Sequence, residues 1–127
     1  MAHHSRLAGF IIDCQTDDLD AASSFWSRAL GLPVVSADDG GVGLYDRLKD
    51  ASGGLHVEVQ KVDHPSRVHL DIEADDLEAE AARLERLGAR RIRFVHDRWW
   101  VMEAPTGQRF CIVPMGEGER EGLNRWD

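Results

Sequence analysis

The sequence predicts an α+β fold in which a strand, a helix and three further strands occur in that order twice. The first observation is a repeat: DCQTDDLDAA at residues 13–22 recurs as DIEADDLEAE at residues 71–80. The second is that strand-like residues precede each copy and a helical pattern follows it, ending at Gly31 and at Gly88. Halves this small cannot bury a core alone, so we expect them to pack together, with a small-molecule site at their seam.

The first half begins with a strand at residues 7–14, because its isoleucines favour extended structure. Asp17 stands at a helix N-cap position, and apolar residues recur at helical spacing over 19–30. Turn-forming glycines then separate three predicted strands, at 34–37, 42–46 and 55–61. The last strand alternates, so His56, Glu58 and Gln60 share the face opposite its valines.

The second half repeats this plan from a strand at residues 67–73, where alternation puts His69 and Asp71 on one face. Asp75 is the predicted N-cap of a helix over 77–87. Three more strands are predicted, at 90–95, 99–103 and 109–113. We expect the polar tail, residues 116–127, to be frayed, with Trp126 as its one residue suited to docking.

Each predicted helix covers one face of its strands, and the opposite face must then close over something. We therefore expect two βαβββ modules forming a curved, barrel-like mixed sheet around a cavity, with the helices outside. The chain, residues 1–127, is predicted to be a single domain whose halves span about 6–62 and 66–115.

Composition excludes several classes of function. A net charge of −8 argues against a nucleic-acid partner. No apolar run is long enough for a membrane span, and the N-terminus lacks the pattern of a signal peptide. With only two cysteines, a disulfide framework is not expected and a cytoplasmic location is favoured. His3 and His4 could be native or a tag remnant, so we exclude them from site arguments.

The doubled unit resembles the vicinal-oxygen-chelate superfamily, and above all its small glyoxalase-like domain proteins. The superfamily includes glyoxalases, extradiol dioxygenases, fosfomycin-resistance enzymes and bleomycin-resistance proteins. The resemblance extends almost to Pro114 and depends on the order and spacing of short motifs. These motifs are DDLD at 17–20, FW at 25–26, LGL at 30–32, RVHLD at 67–71, LGAR at 87–90, WVM at 100–102 and PTGQRFC at 105–111.

The resemblance implies a divalent metal held by four strand residues, two from each half, but this chain keeps only two of those positions. His69 matches a histidine ligand and Glu58 a carboxylate ligand, whereas the other two positions hold Ile11 and Cys111. His56 shares a face with Glu58 and is the candidate third ligand. The implied cofactor is thus either one divalent ion (Zn, Fe, Mn or Ni) or none.

Glu58 and His69 are also the candidate catalytic acid and base. The residues predicted to line the cavity are Ile11, Asp13, Gln60, Asp71, Trp100 and Cys111. Asp71 either orients His69 or shares a structural role with its repeat counterpart Asp13, which has no histidine beside it in sequence. Cys111 is read as a buried inert thiol rather than a reactive one. Trp99 and Trp100 must face opposite sides of their strand, and Trp100 is assigned to the cavity.

Three functions remain open from sequence. One is a metal-dependent lyase, isomerase or dioxygenase acting on a small organic ligand with vicinal oxygens. The second is a metal-free drug- or metabolite-binding protein of the bleomycin-resistance type, whose acidic cavity would suit a cationic aromatic drug. The third is a regulatory module with a vestigial pocket. In each case the resemblance implies a homodimer.

Overall fold

The computed structural model describes residues 2–118 and 120–127, and within them the predicted order of elements is present. The helices are α1 (Leu19–Leu30) and α2 (Leu77–Arg86). The strands are β1 (His3–Gln15), β2 (Val34–Ser36), β3 (Tyr45–Ala51), β4 (Leu55–Val62), β5 (Arg67–Ala74), β6 (Arg90–Val95), β7 (Trp99–Glu103), β8 (Arg109–Pro114) and β9 (Asn124–Trp126). Neither helix of the described residues has the length and apolar character needed to cross a membrane.

The strand predicted at 42–46 is wrong in position, since β3 begins at Tyr45. Gly40, Gly41 and Gly43 all have positive φ, which a regular strand does not accommodate. This stretch is instead a turn, in which the Asp46 carboxylate accepts a hydrogen bond from the Asp38 backbone at 2.8 Å. Turn chemistry therefore outweighed the apolar pattern that suggested an earlier strand.

The N-cap of each helix lies one residue later than predicted. The Asp18 side chain accepts a hydrogen bond from the Ala21 backbone, and the Asp76 side chain accepts one from the Ala79 backbone. Each carboxylate satisfies an otherwise unpaired donor of the first helical turn. The N-caps are thus Asp18 and Asp76 rather than Asp17 and Asp75.

The chain divides into two compact units, one of which is Gly9–His69. Its sheet has the order β2-β3-β4-β1, with β1 and β4 parallel and the remaining pairs antiparallel. Helix α1 covers one face, where Ile12, Leu48, Val57 and Val59 form the buried core. Cys14 and Trp26 pack at the edge of this core, as their place in the apolar pattern predicts.

The other unit comprises the residues up to Ala8 together with Leu70–Asp127. Its sheet has the order β5-β8-β7-β6, with β5 and β8 parallel and the other pairs antiparallel. Helix α2 packs over a core of buried apolar residues on one face of this sheet. These residues are Ala74, Ala81, Leu84, Met102 and Ile112. Each unit therefore has the mixed sheet and single covering helix that the α+β repeat predicts.

The C-terminal tail is not wholly frayed, because β9 pairs antiparallel with the first residues of β1. His3 lies opposite Trp126 in this register, and the Trp126 indole donates a hydrogen bond to the Ser5 hydroxyl at 2.8 Å. The Arg83 guanidinium lies 3.9 Å from the centre of the Trp126 ring. This cation–π contact and the indole hydrogen bond dock the tail, and they explain why β1 begins earlier than predicted.

Candidate functional site

The Gly9–His69 unit carries polar side chains on the face of its sheet that α1 does not cover. We call this surface the polar face. Strand alternation and register place on it Ile11 and Asp13 of β1, Tyr45 and Arg47 of β3, and His56, Glu58 and Gln60 of β4. The side chains of Arg67 and His69 join this face through Asp13.

The central contact of the polar face joins His69 to Asp13. Nδ1 of His69 lies 2.8 Å from Oδ2 of Asp13, and the exposed fractions of the two side chains are only 12% and 1%. An ionised carboxylate can only accept, so Nδ1 carries the hydrogen and the lone pair of the neutral imidazole is on Nε2. The expectation that Asp13 has no histidine to support is therefore wrong, because β5 brings His69 to it from outside the first repeat.

Asp13 also lies beside a cationic group, and within the described residues one of its oxygens has no hydrogen-bond partner. Nε of Arg67 lies 3.5 Å from the same Oδ2 atom that His69 contacts. Within the described residues, the buried Oδ1 atom makes no hydrogen bond. A buried carboxylate oxygen without a donor is costly, and such groups concentrate at functional sites.

Close approach of two backbones positions the histidine of β4. Gly9 is the register partner of His56, and a Cβ atom on Gly9 would lie 2.1 Å from the His56 carbonyl oxygen. Only glycine permits this approach. The next register pair on the polar face is Ile11 with Glu58, so the carboxylate of Glu58 lies beside an apolar, buried neighbour.

The outer part of the polar face is fixed by neutral and ionic contacts. Gln60, the register partner of Asp13, donates from Nε2 to the Tyr45 hydroxyl at 3.0 Å. The Arg47 guanidinium donates to Asp50 at 3.0 Å, and this hydrogen bond holds the pKa of Arg47 above its ordinary value. The face thus carries both signs of charge, which does not match the acidic cavity expected for a cationic drug.

In the other unit, Asp71 and Cys111 are register partners on β5 and β8, and both are buried. Trp100 has a different location from the one predicted. Its ring packs against the core beneath α2 and lies 4.9 Å from the Arg91 guanidinium carbon. The register puts Trp99, not Trp100, on the same face as Cys111, so Trp100 is a core residue of this unit.

A model of the protein family described as "Glyoxalase-like domain" matches residues 9–113. The chain belongs to this family. The match places it in the vicinal-oxygen-chelate superfamily, as the sequence motifs indicated. No curated protein matches the glyoxalase-like chain.

Solved structures share the glyoxalase-like fold at low sequence identity. A hypothetical protein from Bacillus halodurans has a TM-score of 0.66 and 13% identity, covering 91% of this chain and 97% of that one. Methylmalonyl-CoA epimerase (Q60A) from Streptomyces coelicolor, in complex with 2-nitronate-propionyl-CoA, has a TM-score of 0.61 and 19% identity, covering 90% and 99%. The epimerase from Mycobacterium tuberculosis has a TM-score of 0.58 and 16% identity, covering 87% and 90%. At these identities the likeness establishes the fold alone.

The donor atoms of the glyoxalase-like polar face suit a divalent metal in part. Imidazole nitrogen from His69 or His56 and carboxylate oxygen from Glu58 are donors that Zn, Fe, Mn and Ni accept. A carboxylate that orients the imidazole, as Asp13 does for His69, commonly accompanies metal-binding histidines. The side chain of Ile11, the register partner of Glu58 on β1, provides no donor atom.

Sequence reasoning missed the roles of Gly9 and Arg67. Arg67 precedes His69 by two residues in an alternating strand, which was a sufficient signal that the two side chains share a face. The contact of Asp13 with His69 had no such signal, because it joins residues of different repeats. Gly9 could not be recognised without knowing that β4 is its neighbour.

Proposed function

We propose that this glyoxalase-like protein is an enzyme that binds a small organic ligand with adjacent oxygen atoms and moves a proton next to a carbonyl group. The observation that carries the proposal is the Asp13–His69 hydrogen bond of 2.8 Å. It fixes the imidazole in the tautomer whose Nε2 atom is basic, and this is the form needed by a proton acceptor or a metal ligand.

In the proposed reaction, His69 Nε2 takes a proton from the carbon beside the ligand's carbonyl. The electron pair of the C–H bond moves toward the carbonyl oxygen, and the carboxylic acid form of Glu58 gives that oxygen a proton. Reversal of both transfers returns a proton to the carbon and restores Glu58 and neutral His69. Were a divalent ion bound instead, His69, Glu58 and His56 would hold it, and it would supply Lewis-acid polarisation of the ligand oxygens in place of the proton from Glu58; His69 Nε2 would then be a ligand and not the base.

The structural relatives give this proposal its ligand class. Methylmalonyl-CoA epimerase has been solved in complex with methylmalonyl-CoA and NH4+, with a TM-score of 0.62 and 19% identity. Isomerase chemistry on a carbonyl compound is therefore preferred here over lyase or dioxygenase chemistry. A homodimer remains part of the proposal.

Exchange of carbon-bound hydrogen in D2O tests the proposal directly. Pyruvate and methylmalonyl-CoA would be followed by proton NMR with the wild-type chain, with and without added Zn, Ni or Mn. We expect exchange to be abolished in His69→Ala and retained in His96→Asn, which removes an exposed imidazole elsewhere and keeps a residue that tolerates positive φ. Equal exchange in His69→Ala and wild type would contradict the role of His69.

A metal-free binding protein is the second candidate, favoured by Ile11 and Cys111 at two positions where the superfamily resemblance implies ligands. For it, calorimetry with untagged, EDTA-treated protein should detect tight binding of an organic ligand and no stoichiometric uptake of Zn, Ni or Mn. Uptake of one equivalent of metal that His69→Ala abolishes would instead support the enzyme.

A further inference from the structure

The guanidinium group of Arg67 is held from two sides on the polar face. Its Nε atom lies 3.5 Å from Oδ2 of Asp13, and its Nη2 atom lies 3.4 Å from Nε2 of His64. Nδ1 of His64 lies 2.9 Å from the Pro65 carbonyl oxygen, to which only an N–H can donate. Nε2 of His64 is then the acceptor that receives the hydrogen bond from Arg67.

The contacts with Asp13 and His64 leave an edge of the Arg67 guanidinium, with its N–H donors, accessible. The side chain is 46% exposed, and in the described part of the chain its Nη1 atom has no hydrogen-bond partner. A guanidinium held in one orientation loses little further rotamer freedom when it binds a ligand, so its fork is pre-organised.

The place of this edge relative to His69 suggests what it binds. Arg67 and His69 are two residues apart on β5, so their side chains leave the same face about 7 Å apart. The planar fork of arginine matches the two oxygens of a carboxylate, and the pair of hydrogen bonds fixes the orientation of the ligand. A carboxylate on Arg67 would direct the adjoining carbon atoms toward His69.

We propose that Arg67 binds the carboxylate of the ligand, which makes the substrates small organic acids with a carbonyl next to the carboxylate. This inference rests on the proposed function, since it assigns a specificity-determining residue to the same site. Asp13 would oppose an anion nearby, but its Oδ2 atom is shared between the hydrogen bond from His69 and the charge of Arg67. The cationic aromatic ligand considered from sequence is the opposite class.

Titration of the full chain with pyruvate, monitored by nitrogen-15 NMR including the arginine Nε signals, tests the inference. We expect wild type to bind pyruvate more tightly than methyl pyruvate, which lacks the negative charge, and more weakly as salt is raised. Arg67→Gln should weaken pyruvate binding at least tenfold and leave methyl pyruvate unchanged. Arg67→Lys should recover only part of the loss, because it restores the charge without the fork.

Arg28→Gln is the matched control, since it also removes one positive charge but from the exposed last turn of α1. It should bind pyruvate as wild type does. Equal pyruvate affinity in Arg67→Gln and wild type, equal affinity of wild type for pyruvate and methyl pyruvate, or no binding of pyruvate by wild type would each overturn the inference. Inorganic phosphate binding as tightly as pyruvate would also overturn the assignment to carboxylates.

The two proposals can fail separately. Arg67-dependent pyruvate binding with unchanged hydrogen exchange in His69→Ala would refute the catalytic role of His69 and keep the carboxylate site. His69-dependent exchange with Arg67-independent binding would refute the carboxylate site and keep the enzyme. Urea unfolding of Arg67→Gln, measured alongside, should match wild type, because the side chain is nearly half exposed.

Discussion

Nε2 of His3 lies 2.9 Å from Oε1 of Glu80, and both side chains are buried although they are far apart in sequence. Arg83 also donates to both carboxylate oxygens of Glu80, at 2.7 and 3.0 Å. Helix α2 therefore holds the start of β1 through the carboxylate of Glu80. The pattern of apolar residues in α2 does not predict that Glu80 is buried. His3, set aside as a possible tag remnant, is part of the structure of this unit.

Removing the Glu80 carboxylate should be strongly destabilising. Glu80→Ala leaves the largely buried Arg83 without its counter-charge, and we expect the free energy of unfolding to fall by about 3–5 kcal/mol. Urea unfolding followed by circular dichroism measures this. The control is Glu78→Ala, whose side chain is 72% exposed in its pair with Arg91 and whose loss should cost at most about 1 kcal/mol. Similar losses in the two variants would contradict the buried network.

Because the Glu80 carboxylate is buried and hydrogen-bonded, we expect the free energy of unfolding to depend on pH. Burial raises the pKa of Glu80, but hydrogen bonds from Arg83, Ser5 and His3 outweigh it, so the pKa is lower than its ordinary value of 4.5. Folding thus favours the ionised form. The contribution to stability is complete above about pH 4.5 and is lost as the pH falls through the lower folded-state pKa.

Urea midpoints measured from pH 7 to pH 3 on wild type and Glu80→Gln would detect this dependence. The difference in stability between the two proteins should shrink as the solution is acidified. A difference that stays constant or grows at low pH would refute the assignment.

Asp13 should control the tautomer of His69. In Asp13→Ala the imidazole loses the acceptor of its Nδ1 hydrogen, so we expect the Nε2–H form to gain population. Long-range proton–nitrogen NMR of the His69 ring reports the two forms. Any divalent-metal affinity that depends on His69 should fall about 10- to 100-fold in the variant. The idea fails if the wild-type ring is already in the Nε2–H form.

Gly9 should be intolerant of a side chain. Gly9→Ala places a Cβ atom 2.1 Å from the carbonyl oxygen of His56, a backbone atom that cannot rotate away. We expect the strands to separate locally, at a cost of about 1–3 kcal/mol in unfolding free energy. Gly116→Ala is the control, because among the described residues no atom beyond its two chain neighbours lies within 4 Å of its added Cβ. Equal thermal stability of the two variants would disprove the close approach of β1 and β4.

The amino-acid pattern alone predicts the doubled βαβββ order, the two helices and the face on which Glu58 and Gln60 lie. These features follow from local periodicity, and the glycines that end the helical patterns are equally local signals. Residues 42–44 were misread because the backbone conformation of the glycines, and not the apolar pattern, decides a turn.

Which distant side chains meet depends on the three-dimensional fold. The contact of Asp13 with His69, the burial of His3 against Glu80, and the packing of Trp100 beneath α2 each depend on strand neighbours and register. The physical reason is that alternation fixes a side chain's face but leaves open which face the helix covers and which strand lies alongside. The contacts on the polar face depend on which strands lie side by side.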